Sequence, residues 1–334
     1  MTTAELDPSA PLLPIEAFPA AEVFEDWTGD ARFFEYTKAA NPVGSGHMPA
    51  VPIRQFPATL HQTPGSQIVP LDLSADLGIT DGPATSPALC ASFIHILAGE
   101  RVATAPTATS ELYYVLRGHG FSAVDGELIR WREGDVFVLP GNARSTHHAT
   151  DDTAFYWVTD EPLLRYLGVS PTTPRFRPTM FSADRTRREL DAIAAAPRAE
   201  DRNRLSVLLA GAEQPQTLTA THVLWAMYGL LPVEAVQRPH RHQSVALDLI
   251  IDCEPGCYTL VGSRLDERGE IVSPSRVDWT AGGAFVTPPG LWHAHINESG
   301  SPAHLLPVQD AGLQTYLRSL DIRFAPIDRS NEPA

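Results

Sequence analysis

Two stretches of this chain, "WREGDVFVLPG" beginning at Trp131 and "WTAGGAFVTPPG" beginning at Trp279, lie over each other almost residue for residue. Each closes the same plan: a strand, a glycine-marked turn, and a second strand leading into the shared pattern. A repeat period of more than about 100 residues marks a duplicated domain rather than a solenoid of short repeats. The stretch "ELYYVLRGHGFSAVDGELIRWREGDVFVLPG" shows the texture, with alternating strands and a hairpin turn at Asp125–Gly126. Thirty prolines and 23 glycines against 19% charged residues favour short strands and turns over long helices. With 334 residues, 43% of them hydrophobic, two cores can be filled. The expected organisation is an N-terminal arm over 1–75, with a short helix within 25–40, and a first β-domain over 76–170. A helical connector over 171–215 and a second β-domain over 216–334 complete it. In the connector, "SADRTRRELDAIAAAP" reads as a helix between a cap at Ser182 or Asp184 and a stop at Pro197, and "AEDRNRLSVLLAGA" as a second, shorter one.

The formal charge of −15 argues against nucleic acid or an anionic membrane as partner, because both demand a basic face. The opening residues lack the basic and apolar regions of a signal peptide. No apolar run approaches the roughly 18–20 residues that span a bilayer. Three cysteines do not make a disulfide framework, so a cytoplasmic setting is expected. Cys253 and Cys257, without a second pair, read as packing at strand ends rather than a zinc site.

Chemistry concentrates in "RPHRHQSVALDLIID", residues 238–252. On a strand, residues i and i+2 share a face, so His240 and His242 point one way and Arg241 the other. His293 comes from a later strand. Three imidazoles on one side leave open positions for a divalent metal to take up small ligands. The plainer alternative is surface polarity on a structural β-domain. Trp225 and Trp292 are candidates to wall an apolar pocket, with Trp225 better read as core.

His240-x-His242 followed by Gly290-x-x-His293-x-x-x-Asn297 resembles the motif pair of the cupin superfamily. More narrowly, "HRHQSVALDLIID", "GCYTLVG" and "TPPGLWHAHIN" are similar to the gentisate 1,2-dioxygenase family and its salicylate and hydroxynaphthoate relatives, over most of residues 85–320. The resemblance implies a mainly β chain of two cupin (double-stranded β-helix, jelly-roll) barrels, with an N-terminal arm and a short helical connector. It also implies one divalent metal per chain at His240, His242 and His293, first of all Fe(II), with Mn, Ni or Zn as alternatives. The usual cupin glutamate is replaced by Ala246. The implied activity is oxygenation, with O₂, of a small cyclic or aromatic hydroxylated substrate. His295 falls where the family has a histidine near bound substrate, a place suited to moving a proton; the plainer alternative is a solvent-facing histidine at the barrel mouth. Asp248 stands where the family has an arginine that meets the substrate carboxylate. A reversed charge there is expected to disfavour a benzoate and to welcome an amine, a guanidinium or a hydroxyl donor, unless Asp248 pairs with an arginine such as Arg238.

In the first barrel the corresponding ligand positions read as Ala105 and Thr107, with Glu111 at the glutamate position and His147 and His148 out of register. That barrel is therefore expected to be metal-free and structural. Two readings stand beside the oxygenase: a non-oxidative cupin enzyme (isomerase, lyase or decarboxylase) and a non-catalytic small-molecule-binding bicupin. Exposed sheet edges suggest a homodimer or higher oligomer.

Overall fold

The structure, a computed structural model, describes residues 28–141, 143–199 and 202–326. Residues up to Met48 form one unit and those from Pro49 onward another. In the first unit the helix expected over 25–40 shrinks to one turn, Tyr36–Ala39, capped by the Glu35 carboxylate, which accepts from the backbone N–H groups of Thr37 and Lys38. Residues 25–27 of that expectation lie outside the described residues.

Alternation of side chains builds the second unit. In the strand Ser110–Arg117, Leu112 and Tyr114 join one core while Tyr113 and Val115 join another. Both faces are buried, which is why this strand reads as a nearly continuous apolar run. Its sheet has six strands in the order Thr179–Phe181, Val136–Pro140, Ser110–Arg117, Thr153–Thr159, Cys90–Ile96 and Gln67–Pro70. A four-stranded sheet built around Ser145–Ala149 and His119–Val124 closes the first barrel over Tyr113, Phe137, Phe155 and Trp157.

The second barrel repeats the arrangement. Its six-stranded sheet runs Arg54–Phe56, Ala284–Thr287, Ala246–Asp252, Ala303–Gln309, Trp225–Leu231 and Leu205–Leu209. Five strands oppose it: Ser275–Asp278, Cys257–Gly262, Trp292–Asn297, His240–Arg241 and Arg323–Phe324. The two six-stranded sheets share one apolar cluster, in which Leu112, Tyr114 and Tyr156 meet Leu247, Leu249 and Leu306. Because Leu247 and Leu249 face this shared core, Asp248 between them faces the interior of its own barrel.

The stretch from residue 49 to 75 packs onto the barrels by strand pairing: Arg54–Phe56 pairs with Ala284–Thr287 of the second barrel, and Gln67–Pro70 with Cys90–Ile96 of the first. The helix Ala183–Ala194 forms as expected, with Ser182 at its N-cap. Of the second connector helix expected over 199–212, residues 200 and 201 lie outside the described residues, and Leu205–Leu209 is not helical but a strand paired with Trp225–Leu231. A five-residue apolar run carries no helical period of its own, and an open sheet edge decides its state. Among the described residues no helix is long and apolar enough to cross a membrane.

Candidate metal centre

His240 and His293 sit directly opposite each other on antiparallel strands, and His242 follows two residues on. One ligand nitrogen from each lies within 4.8 Å of the others, and all three residues are buried. Local hydrogen bonds set two of the tautomers. His242 Nδ1 lies 2.9 Å from the carbonyl of Ser244, and His293 Nδ1 lies 3.1 Å from that of Leu291. A carbonyl only accepts, so each ring carries its proton on Nδ1 and presents the Nε2 lone pair. His242 Nε2 and both nitrogens of His240 are buried without a partner. Burial, then the neighbouring imidazoles and the Arg204 charge, holds His240 and His293 neutral, while burial takes His242 down to about 4. Neutral imidazoles with unpaired lone pairs are what a divalent metal requires, and leaving them unmet is costly. The donor set therefore fits the implied ion, without a carboxylate, since Ala246 holds that position.

Above this cluster lies a residue that the sequence did not single out. Asn203 exchanges hydrogen bonds with the backbone of Arg238, tying the start of the strand Leu205–Leu209 to the segment that carries His240. Arg204 is thereby delivered to the histidines. Part of its side chain is accessible, but its guanidinium end is buried: Nη2 lies 3.0 Å from His295 Nε2, Nη1 lies 3.5 Å from Met227 Sδ, and Nε has no partner. Read as a helix, this stretch puts Arg204 on a solvated face; the apolar "LSVLL" after it was the available signal for a strand.

Arg204 decides the tautomer of His295. A guanidinium only donates, so His295 Nε2 accepts and the ring proton sits on Nδ1, facing Thr259 Oγ1 at 2.8 Å. Thr259 Oγ1 also accepts from Trp279 Nε1 at 2.8 Å. Burial, followed by the arginine charge, keeps this imidazole neutral. In this arrangement its Nε2 lone pair is engaged by Arg204 and its Nδ1–H by Thr259.

Asp248 is 2% exposed, points into the barrel, and accepts one hydrogen bond at Oδ2, from Thr287 Oγ1 at 2.7 Å. Desolvation raises its pKa to about 6, against the opposing effects of Thr287 and Arg204. Arg204 is near enough to act on it electrostatically, yet no ion pair joins them. Nor does Arg238 pair with it, since that guanidinium stacks over Phe324. Asp248 thus faces the interior without an arginine bound to it, and a buried cation, Arg204, faces the same interior. Trp292 lies on the other side of its strand from His293 and His295, packed against Tyr258, Ile271, Ala294 and Ile296 with Arg241 over its ring. It does not line the barrel interior, because a period of two separates it from the ligands. Trp225 is partly buried.

The first barrel preserves the frame without the ligands. Trp131 Nε1 donates to Ser122 Oγ, which lies 2.7 Å from His147 Nδ1, so His147 holds the place of His295. Cross-strand pairing sets Thr104 opposite Ser145 as it sets His240 opposite His293, so Thr104, not Ala105, is the counterpart of His240. Glu111 is opposite Leu139 as Ala246 is opposite Thr287, and is buried.

The Cupin domain family matches residues 92–159, within the first barrel. A 62-residue stretch is 42% identical to 5-aminosalicylate 1,2-dioxygenase of Comamonas sp, covering 18% of this chain and only 17% of that relative's length. In fold the chain is similar to salicylate 1,2-dioxygenase of Pseudaminobacter salicylatoxidans, with TM-score 0.63 at 14% identity over 82% of this chain and 88% of that one. The same enzyme's adduct with gentisate gives TM-score 0.65 at 14% identity, over 93% and 98%.

Proposed function

We propose that this chain, a cupin related to the gentisate and salicylate dioxygenases, is a metal-dependent dioxygenase for a small hydroxylated aromatic acid. The observation that carries the reading is the pairing of three converging neutral histidines, two of which, His240 and His242, have buried nitrogens without a partner, with a guanidinium whose Nε–H is also unpartnered. Bound at His240, His242 and His293, Fe(II) would supply a Lewis-acidic, redox-active centre for a phenol and O₂. The chain does the rest. Arg204 offers Nε–H to an acidic substituent of the substrate, and a buried cation without a carboxylate partner gains most from such an anion. His295, locked by Thr259 and Trp279, holds that guanidinium in place. The apolar barrel wall keeps bulk water from the reacting groups. The similar proteins named above act on or bind salicylate, 5-aminosalicylate and gentisate, which supports this substrate class. A cytoplasmic homo-oligomer belongs to the same reading.

Elemental analysis of protein purified without added metal, combined with O₂ uptake over a panel of hydroxybenzoates, tests the proposal. Iron with substrate-dependent uptake supports it. Zinc or manganese without uptake points to a non-oxidative cupin enzyme, and no metal at all points to a binding protein; either result overturns it.

A further inference from the structure

The duplicated frame shows what a side chain at position 248 addresses. Asp248 lies opposite Phe285 as Tyr113 lies opposite Phe137, so Tyr113 is its counterpart in the first barrel. The Tyr113 ring stacks on Phe137 at 4.6 Å, and its hydroxyl reaches Thr104 Oγ1 at 2.9 Å, the counterpart of His240. A side chain from this position therefore aims at the place where the ligand histidines converge.

In the second barrel the neighbours of this position are smaller. Asp248 stands for Tyr113, Ala246 for Glu111 and Thr287 for Leu139, and Pro307 stands for Trp157 across the other neighbouring strand. All four changes shrink the side chains immediately around position 248. Among the described residues the Asp248 carboxylate accepts a hydrogen bond at Oδ2, from Thr287, and none at Oδ1. Arg204, facing the same interior, has an unpartnered Nε and no ion pair with Asp248. Two buried opposite charges that do not meet are best satisfied by a ligand that offers each its complement.

We propose that Asp248 is a specificity-determining residue that accepts a hydrogen bond from an amino or hydroxyl group on the substrate ring, while Arg204 holds the acidic substituent of the same ring. The preferred substrate is then a hydroxylated aromatic acid with a further hydrogen-bond donor. This rests on the function proposed above and adds the group that separates one such acid from another.

The test is anaerobic binding to the protein as isolated, by equilibrium dialysis, of 2-hydroxybenzoates carrying amino, hydroxyl or methyl at each ring position. At one ring position the amino and hydroxyl compounds should bind about tenfold or more tightly than the methyl compound, as expected for a hydrogen bond to a buried charged group. Asp248→Asn keeps an oxygen for Thr287 and turns an N–H toward the ring, so it should erase or invert that ranking while methyl compounds bind as before. Asp248→Ala, with no acceptor at all, should level it, which covers the case in which the asparagine variant does not fold. Equal affinity for methyl and amino compounds in the native protein, or an unchanged ranking in a folded variant, overturns the role of Asp248 alone. If no hydroxybenzoate binds, or stripping the metal with a chelator leaves binding unchanged, the proposed function falls with it.

Discussion

Ser145 in the first barrel occupies the place that His293 holds in the second: each faces the strand that carries the first ligand position, Thr104 in one case and His240 in the other. The same scaffold thus presents three imidazoles in one barrel and hydroxyls in the other. Tyr113 seals the difference, since its phenol oxygen sits between Glu111 Oε2 at 2.6 Å and Thr104 Oγ1 at 2.9 Å.

Metal content should follow the second barrel alone. His240→Ala or His293→Ala should abolish bound metal while circular dichroism stays that of the folded protein. Glu111→Gln or His147→Gln should leave the stoichiometry unchanged. A half-emptied protein after the His147 change, read by plasma emission, would contradict the single site.

Arg204 should govern acidic ligands only. Arg204→Met removes the cation but keeps the length of the side chain, so binding of a hydroxybenzoate should weaken about tenfold to a hundredfold. Binding of the corresponding neutral phenol should change little. Arg204→Lys should recover only part of the loss, because an ammonium cannot hold His295 and an anion in one fixed fork. Titration calorimetry under nitrogen distinguishes these outcomes.

Glu111 gives stability a pH dependence of definite sign. Burial raises its pKa to about 8, with hydrogen bonds from Tyr113 and Trp157 opposing the shift. The folded state therefore keeps a proton that the unfolded chain releases near its ordinary 4.5. This contribution is fully present below 4.5 and is lost as pH rises toward 8, at a limiting slope of about 1.4 kcal/mol per pH unit. Glu111→Gln, neutral throughout, should flatten the decline in Tm between pH 5 and 8 relative to the native protein. Parallel profiles would show that Glu111 ionises freely.

Phe324 covers the site from the C-terminal side. Its ring stacks over His240 at 5.6 Å, and its short strand pairs with His240 and Arg241. Phe324→Ala should speed loss of metal to a chelator several-fold at unchanged Tm. An unaltered rate would mean that the metal leaves by another route.

The sequence by itself determined the duplicated β-plan, the helix Ala183–Ala194, and which barrel carries the ligand set. These follow from periodicity and spacing along one segment: i, i+2 residues must share a strand face, so His240 and His242 had to point together, with Asp248 on the interior side if no bulge intervened. The same rule, applied to His293, already excludes Trp292 from that side.

Only the tertiary structure decided the rest. Whether "RLSVLL" becomes helix or strand depends on a free sheet edge supplied by Trp225–Leu231, and Arg204 enters the site only because that edge wins. The tautomer of His295, the lone oxygen of Asp248 and the seal made by Tyr113 are likewise contacts between strands far apart in the chain. Local sequence sets which face a side chain takes; the partners it meets there are set by how sheets pair and close, which no single segment encodes.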